Sequence, residues 1–285
     1  MARIHSSAIV DPGAELDADV EVGAYSVIGA GVRVGAGTRI GPHVVVEGPT
    51  SIGRGNRIFQ FASIGADPQD KKYGGEPTAL EIGDGNTIRE FVTINRGTAQ
   101  HRAVTRVGSD AWIMAYVHIA HDCIVGDHVV IANSTNLAGH VEVGDWAILG
   151  GATQVHQFCK IGAHAMTAAG TVVLHDIPPY VMASGNSAQA HGVNSEGLRR
   201  RGFDAERVNA IRRAYKTIYK SGATMQQARD ALRASIGQGA PPGAAAPAAE
   251  GASASSSAPS LSAAVRADLA LLADFLDGVT RGIVR

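Results

Sequence analysis

The residues with the clearest capacity for chemistry are histidines near the middle of the chain, at His118, His121, His140 and His156. An imidazole can act as a general base or as a metal ligand at neutral pH. Asp122 directly follows His121, and a carboxylate there could orient the imidazole or favour its charged form. Which chemistry is possible depends on the elements that bring these side chains together.

The element that must position them is a repeat with a period of six residues. An aliphatic residue recurs at every sixth position over residues 4–64 and 82–94 and, after a shift of one residue, over residues 107–173, where Thr167 is the one exception. This period is typical of a parallel β-helix built from hexapeptides, in which three hexads form a triangular coil of about 18 residues. Known helices of this class are left-handed, an exception to the usual right-handed crossover.

The coil length predicts which residues stack in neighbouring coils. His121 should lie in one column with Gly139 and Gln157, and Asp122 should lie below His140. None of these is an inward aliphatic position, so we expect the side chains to face outward near a corner. Such a column suits acyl transfer, because the imidazole can take a proton from a hydroxyl while the glycine N–H receives the oxyanion.

A metal site is the main alternative interpretation, since histidine clusters on hexapeptide prisms can bind zinc. His118 and His121 flank the inward Ile119 and could share one outer edge of the prism. The neighbouring column offers Gly139 and Gln157, which are poor zinc ligands. We therefore assign no metal ion to the site.

Composition narrows the classes of function. The chain has 285 residues and a net charge of −1, so no charge excess indicates a nucleic acid or an acidic membrane as partner. It lacks a basic segment followed by an apolar run, and no stretch is long enough to span a bilayer, so we expect a cytoplasmic protein. Cys123 and Cys159 should both point into the prism, two coils or roughly 9.5 Å apart, beyond the reach of a disulfide.

The interruptions of the repeat predict the domain organisation. Residues 66–79 and 95–106 are predicted to be loops, and Pro178-Pro179 is predicted to mark the end of the prism. We therefore predict a β-helix domain over residues 1–186 and a helical domain over residues 187–285.

Helix signals fill the second domain. Asp204 is a candidate N-cap, and Thr224 with Gln227 has the pattern of a capping box. Residues 237–260 are almost entirely Gly, Ala, Pro and Ser and are predicted to be a flexible linker. The apolar face of a last helix, near residues 265–276, needs a neighbour in this chain or in another subunit.

A basic cluster lies at the start of the helical domain, at Arg199, Arg200 and Arg201, with further cations at Arg212, Arg213 and Lys216. Such a cluster is usually a solvated helix face. It would also suit an acidic protein partner or a phosphate.

Several longer segments resemble one known family, the UDP-N-acetylglucosamine O-acyltransferases. The resemblance covers residues 1 to about 235 and the last helix. Its motifs are Gln-Phe-Ala-Ser-Ile-Gly at 60–65, Gln-Asp-Lys-Lys-Tyr at 69–73, Gly-Glu-Pro-Thr at 75–78, His-Ile-Ala-His-Asp-Cys at 118–123, Leu-Ala-Gly-His-Val at 137–141, Gly-Gly-Ala-Thr-Gln-Val-His-Gln-Phe-Cys at 150–159, Asp-Ile-Pro-Pro-Tyr at 176–180 and Gly-Val-Asn-Ser-Glu-Gly-Leu-Arg-Arg-Arg-Gly-Phe at 192–203.

The resemblance implies a left-handed β-helix that assembles as a homotrimer, with active sites in clefts between subunits. The implied reaction transfers a fatty acyl group, typically 3-hydroxylated, from acyl carrier protein to the glucosamine 3-hydroxyl of UDP-N-acetylglucosamine, and opens lipid A synthesis. It implies no cofactor other than the phosphopantetheine on which the carrier protein holds the acyl group.

The resemblance also assigns roles to residues. His121 corresponds to the general base, Gly139 to the oxyanion donor and Ala169 to a position at the floor of the acyl cleft. An acidic carrier protein would bind the basic cluster at Arg199, Arg200 and Arg201. The implied contacts to the nucleotide sugar are Asp70, Lys72, His118, His140, His156, Gln157, Asn194, Glu196 and Arg200.

Three alternatives remain open at the level of the sequence. The N-acyltransferase of the same pathway has an extra domain before its prism, whereas here the hexads begin at Ile4. A zinc-dependent γ-type carbonic anhydrase would bind metal, and a metal assay separates it. A non-catalytic scaffold would tolerate any change in the His121 column.

Overall fold

The computed structural model describes residues 1–238 and 261–285. Most of the linker predicted at residues 237–260 lies outside the described residues, and its first two residues form the end of a helix.

The chain up to Val193 consists of short strands that follow the six-residue period. In chain order they are β1 (Arg3–Ile4), β2 (Ile9–Val10), β3 (Glu15–Leu16), β4 (Glu21–Val22), β5 (Val27–Ile28), β6 (Val32–Val34), β7 (Arg39–Ile40), β8 (Val45–Val46), β9 (Thr50–Ile52), β10 (Arg57–Ile58), β11 (Ser63–Ala66), β12 (Ala79–Ile82), β13 (Thr87–Ile88), β14 (Thr93–Asn95), β15 (Val104–Val107), β16 (Trp112–Ile113), β17 (His118–Ile119), β18 (Ile124–Val125), β19 (Val130–Ile131), β20 (Asn136–Leu137), β21 (Glu142–Val143), β22 (Ile148–Leu149), β23 (Gln154–Val155), β24 (Lys160–Ile161), β25 (Met166–Thr167), β26 (Val172–Val173), β27 (Val181–Ser184) and β28 (Gln189–Val193).

Successive strands belong to three different sheets in turn, so the chain winds around a triangular prism. Sheet A runs from β1 through every third strand to β25 and adds β27 and β28, sheet B runs from β2 to β26, and sheet C runs from β3 to β24. Pairing within the stack is parallel, as the hexapeptide period predicts, and only β28 is antiparallel to its neighbour.

The inward aliphatic residues form one continuous core. Ile94, Ile119 and Leu137 pair in successive coils of sheet B and are all fully buried. Thr167, the exception in the repeat, is also fully buried, and its Oγ1 lies 2.9 Å from the Oγ1 of Thr153. A threonine is tolerated here because its hydroxyl has a hydrogen-bond partner. Cys123 and Cys159 are buried and free, as predicted.

Both interruptions of the repeat occur at the same edge of the prism, where the chain passes from sheet B to sheet C. The first occupies residues 67–78, between β11 and β12, and the second occupies residues 96–103, between β14 and β15. The predicted ranges were longer because they included strand residues at the ends. In the following coils this edge, the B–C corner, is formed by residues 120–123, 138–141 and 156–159.

Sheet A extends past Pro178-Pro179, where the prism was predicted to end, by one parallel strand and its hairpin partner. Strand β27 pairs with β25 in parallel, and β28 returns antiparallel to β27 as a hairpin. The predicted boundary after residue 186 therefore falls inside this hairpin.

The described residues after the hairpin form four helices: α1 (Ser195–Arg200), α2 (Ala205–Tyr219), α3 (Met225–Gln238) and α4 (Ala263–Asp277). The predicted caps are confirmed, since Asp204 accepts a hydrogen bond from the N–H of Arg207 and Thr224 accepts one from the N–H of Gln227. Helix α4 packs on α2 and α3 of the same chain. Arg207 of α2 forms a bidentate pair with Asp268 of α4 at 2.7 and 2.8 Å.

Within the described ranges, the helices are too short or too polar to cross a membrane.

The helical domain joins the prism through aromatic rings at the corner between sheets C and A. His164 stacks on Tyr180 with ring centroids 5.7 Å apart, and Arg201 lies over the ring of Trp146 at 5.3 Å. Burial, followed by the charges of Arg201 and Arg207, lowers the pKa of His164 to about 4. His164 is therefore a packing residue that the fold holds uncharged.

This environment predicts a pH-dependent contribution to stability. Between about pH 6.5 and 4 the unfolded chain binds a proton on His164 that the folded chain does not, so this contribution is complete above pH 6.5 and is lost as the pH falls. His164→Phe keeps an aromatic ring that cannot titrate. Its unfolding midpoint should fall less between pH 7.5 and 5 than that of the wild type in thermal melts. Equal falls in both proteins would exclude a contribution from His164.

Candidate active site

The B–C corner brings the predicted catalytic residues into neighbouring columns. The N–H of His140 donates to the carbonyl of His121 at 3.0 Å, and the N–H of Phe158 donates to the carbonyl of Gly139 at 3.2 Å. His121, Gly139 and Gln157 therefore lie one above the other in successive coils. The stacking that the coil length predicted is confirmed.

His121 is paired with its sequence neighbour. Its Nδ1 lies 2.9 Å from Oδ2 of Asp122, and its side chain is 14% exposed. An Nδ1–H that donates to the carboxylate leaves Nε2 unprotonated, and this nitrogen can accept a proton. The arrangement is that of a general base held by an acidic partner.

The expectation that Asp122 faces outward is wrong, because its side chain is fully buried. The 96–103 loop covers it. The N–H and Oγ1 of Thr98 donate to Oδ2 at 3.0 and 2.6 Å, and the N–H of Arg102 donates to Oδ1 at 3.1 Å. Burial alone would raise the pKa of Asp122, but the hydrogen bonds from His121, Thr98 and Arg102 outweigh it and lower the pKa to about 2. Asp122 is a carboxylate throughout the physiological range.

The sequence predicted a loop at this place, but it did not predict the contacts of the 96–103 loop with the candidate site. Arg102 forms an ion pair with Glu142 one coil above the site, and His101 packs edge-on against His140 with ring centroids 4.7 Å apart. The sequence did contain a signal that the loop lies beside His121. The loop begins after a strand of the same sheet as β17, so it leaves the prism at the corner that carries His121.

Gly139 is required by the position of the imidazole. A Cβ at this residue would lie 2.5 Å from Cε1 and 2.7 Å from Nε2 of His121. We find no acceptor for the Gly139 N–H among residues 1–238 and 261–285. A free N–H beside a base is what an oxyanion donor requires.

His118 and His140 border the base on two sides. His118 Nδ1 lies 2.7 Å from Oγ1 of Thr93, and His140 lies flat on Phe158 with centroids 4.2 Å apart. Burial, with a smaller effect of His121, lowers the pKa of His118. Burial is also the main cause of the lowered pKa of His140, where the Asp122 carboxylate acts in the opposite direction. Both rings are therefore uncharged near pH 7 and can donate or accept hydrogen bonds.

Other predicted contacts lie along the same corner. His156 and Gln157 are exposed one coil above Gly139, and the carbonyl of Gln157 accepts a hydrogen bond from Arg281 at 2.9 Å. Asp70 and Lys72 lie in the 67–78 loop, which leaves the corner two coils before His121.

The 67–78 loop is anchored by a residue that the sequence did not single out. The guanidinium of Arg96 is buried, donates to the carbonyl of Gly65 and pairs with Asp67. Arg96 Nη2 also lies 3.4 Å from the hydroxyl of Tyr73. Arg96 therefore ties the two loops together at the corner.

The remaining predicted contacts lie at other corners. Asn194 caps α1 through its Oδ1, and its Nδ2 donates at 3.1 Å to the carbonyl of His164, at the corner between sheets C and A. Glu196 and Arg200 follow it on α1 and bond to each other at 3.2 Å. Ala169 lies at the third corner, between sheets A and B. One chain therefore distributes the predicted site residues over three corners.

The basic cluster is less uniform than the sequence suggested. Arg199 lies 3.7 Å from a carboxylate oxygen of Glu196, and Arg201 is partly buried over Trp146. A more continuous cationic surface lies on α2. There Arg212, Arg213, Lys216 and Lys220 line a shallow cavity of about 620 Å³.

Comparison with known proteins shows first the structural class to which the chain belongs. Residues 105–139 match the family model described as bacterial transferase hexapeptide (six repeats), and the predicted left-handed β-helix is confirmed. The chain is thus a hexapeptide-repeat protein. Residues 176–284 match the model described as Udp N-acetylglucosamine O-acyltransferase, domain 2.

Full-length relatives narrow this class to one family. The chain is 55% identical to the acyl-[acyl-carrier-protein]–UDP-N-acetylglucosamine O-acyltransferase of Thiobacillus denitrificans over 100% of both chains. It is 64% identical to the protein of that name from a Janthinobacterium species over 82% of this chain and 89% of the relative. The structure of LpxA from Acinetobacter baumannii is 46% identical, covers 99% of both chains and superposes with a TM-score of 0.88. The chain belongs to the UDP-N-acetylglucosamine O-acyltransferase family, as its motifs predicted.

The tight contact at Gly139 generates a prediction. Gly139→Ala should displace the His121 ring and crowd the oxyanion position, which lowers kcat by about 10²–10³-fold, the usual cost of losing an oxyanion donor. The ring can swing outward, so the fold should survive. Gly151→Ala is the matched control, because its Cβ would meet only the Asn133 carbonyl at 3.4 Å. Steady-state acyl transfer and circular dichroism of both variants measure this, and an active Gly139→Ala enzyme would contradict it.

Proposed function

We propose that this chain transfers a 3-hydroxylated fatty acyl group from acyl carrier protein to the 3-hydroxyl of UDP-N-acetylglucosamine, the first step of lipid A synthesis. The observation that carries the proposal is the His121–Asp122 pair beside the free N–H of Gly139. The relatives' printed names, which specify an acyl-carrier-protein donor and this nucleotide sugar, support the choice of substrates.

The proposed chemistry is a direct attack on a thioester. His121 Nε2 removes the proton from the sugar 3-hydroxyl as the oxygen attacks the thioester carbonyl carbon. The C–O bond forms, and the tetrahedral intermediate carries its negative charge on the former carbonyl oxygen, which the Gly139 N–H stabilises. Collapse breaks the C–S bond, and the leaving thiolate takes the proton from the His121 imidazolium. The proposed reaction requires neither a protein nucleophile nor a cofactor.

Asp122 has two functions in this scheme. Its carboxylate fixes the ring so that Nε2 faces the substrate, and it stabilises the imidazolium that forms in the first step. His118, His140 and Gln157 are the proposed sugar contacts, since each presents a polar side chain at the B–C corner.

We also propose that the enzyme is a homotrimer, as the resemblance implies. Among the predicted contacts at the B–C corner, His156 and Gln157 are exposed in the single chain. Asn194, Glu196 and Arg200 lie at a different corner of the same chain. A cyclic trimer can place that corner of one subunit against the His121 corner of the next. The site is then a cleft between two chains.

The acyl carrier protein is proposed to dock on the cations that follow the prism. Arg199, Arg200 and Arg201 were predicted for this role. Arg201 packs over Trp146, and the surface of α2 adds a larger cationic area at Arg212, Arg213 and Lys216. Acidic partners are steered by such surfaces. Ala169 remains the proposed determinant of acyl length, and the cytoplasm remains the proposed location.

The test of the base uses the reaction itself. Purified wild-type protein should convert UDP-N-acetylglucosamine and a 3-hydroxyacyl carrier protein to a 3-O-acylated product, identified by mass spectrometry. His121→Ala should lower the rate by about 10²–10⁴-fold, the range for loss of a general base. His191→Ala, a change at an exposed histidine of β28, is the matched control. Near-normal transfer by His121→Ala would refute the assignment, and absence of product with the wild type would refute the proposed reaction.

The shared site predicts complementation between inactive subunits. In trimers assembled from His121→Ala and Arg200→Ala chains, some clefts combine an intact His121 from one chain with an intact Arg200 from the next. Activity should therefore rise above that of either variant alone. If trimers of mixed composition form, as native mass spectrometry can verify, and activity does not recover, the site lies within one chain.

A further inference from the structure

Three side chains at the B–C corner form a group of potential metal ligands. Among the described residues, His101, Asp122 and His140 can each offer one ligand atom such that all three atoms lie within 4.8 Å of one another. This group differs from the His118 and His121 pair that the sequence suggested as a zinc site. One member, His101, comes from the 96–103 loop and has no assigned part in the proposed catalytic scheme.

The geometry of His140 indicates a missing partner. Its Nδ1 is buried without a hydrogen-bond partner among the described residues, and it lies 3.9 Å from Oδ2 of Asp122. Stacking on Phe158, with the two rings inclined by only 3°, fixes the plane of the imidazole. An unpartnered ring nitrogen beside a carboxylate is the arrangement found at sites where a cation joins the two groups.

Closing the group around an ion requires small movements. Ligand atoms around a tetrahedral Zn²⁺ with bonds of about 2.0–2.1 Å lie about 3.4 Å apart. His140 and Asp122 are nearly at this separation. The remaining adjustment, up to about 1.4 Å, falls on His101, whose side chain is exposed. Two imidazoles and one carboxylate with a water in the fourth position suit Zn²⁺.

The charges around His101, Asp122 and His140 are compatible with a bound cation. Arg102 is the nearest positive group, since it donates to the Asp122 carbonyl, but its guanidinium is paired with Glu142. Lys160 lies 3.7 Å from the same Glu142. The carboxylates of Asp122 and Glu142 thus offset the two cations before an ion binds.

We propose that His101, Asp122 and His140 form a binding site for Zn²⁺ or a similar late transition-metal ion, and that occupancy of this site inhibits the enzyme. An ion held by Asp122 competes with the Nδ1–H of His121 for the same carboxylate, which loosens the base. It also immobilises His140, a proposed sugar contact. The inhibitory part rests on the proposed function, whereas the binding part does not.

Binding is tested on the full-length protein with Zn²⁺ alone. Isothermal titration of the chelator-treated wild type should give one site per chain. His101→Ala removes one of three protein ligands and should weaken binding by more than about 10–100-fold, the cost of losing an outer-shell partner. His191→Ala should bind as the wild type does. Replacement of Zn²⁺ by Co²⁺ should give the visible absorption of a tetrahedral site in the wild type and in His191→Ala, but not in His101→Ala.

Inhibition is tested in the acyl-transfer assay. Micromolar Zn²⁺ should inhibit the wild type and His191→Ala reversibly, with recovery on addition of a chelator. His101→Ala should lose the inhibition, measured as the ratio of its own rates with and without Zn²⁺. Absence of Zn²⁺ binding by the wild type, or equal binding by wild type and His101→Ala, would overturn the site. Tight Zn²⁺ binding at His101 with no effect on a working transferase would overturn the inhibition. A wild type that binds Zn²⁺ but makes no acylated product would contradict the proposed reaction and leave the site standing.

Discussion

The buried carboxylate of Asp122 is the constraint on which the candidate site depends. A charge without solvent contact is tolerated only where hydrogen bonds replace its hydration. Here the donors come from Thr98 and Arg102 of one loop and from His121, the neighbouring residue. The same interaction therefore closes the 96–103 loop over the corner and sets the orientation of the imidazole. Movement of the loop would remove hydrogen-bond donors from the Asp122 carboxylate. The free-energy cost of losing these donors therefore holds the His121 imidazole in place.

The prism supplies what a catalytic column needs at little conformational cost. Most corners hold a residue in the left-handed region, and at the B–C corner Asp122 and His140 occupy it with φ of 59° and 67°. Aspartate and histidine are among the residues that tolerate this region. The corner also places Gly139 directly above His121, where the absence of a Cβ gives the ring its space. Repetition of one backbone geometry thus brings the adjacent His121 and Asp122 together with the N–H of Gly139, which lies one coil further along the chain.

Much of this arrangement follows from the sequence because a hexad period defines both the inward face and the axial order. The N-cap pattern at Asp204 separately predicted the start of a helix. The hexad period predicted that His121 and Gly139 lie in one column and that Ile119 is buried. It did not predict the burial of Asp122, because the direction in which the 96–103 loop folds is not periodic and depends on hydrogen bonds to Asp122 itself. For the same reason Thr98, His101 and Arg102 were missed. Arg201 was predicted to bind the carrier protein together with Arg199 and Arg200, yet it packs over Trp146, because it is the C-cap of α1 and follows the last residue of that helix. Ala169 and Arg200 lie away from the B–C corner, and only the proposed trimer would bring them to a common site. The period of a single chain carries no information about such an assembly.

The tautomer of His121 tests the central claim most directly. In protein labelled with ¹⁵N at histidine, long-range ¹H–¹⁵N correlation spectra at pH 8.5 distinguish a protonated Nδ1 from a protonated Nε2, and the spectrum of His121→Ala assigns the signal. If the Asp122 carboxylate holds the base as described, His121 carries its proton on Nδ1, and Asp122→Asn lowers the population of that tautomer. A proton found mainly on Nε2 of the wild type would mean that Asp122 does not set the orientation of the imidazole.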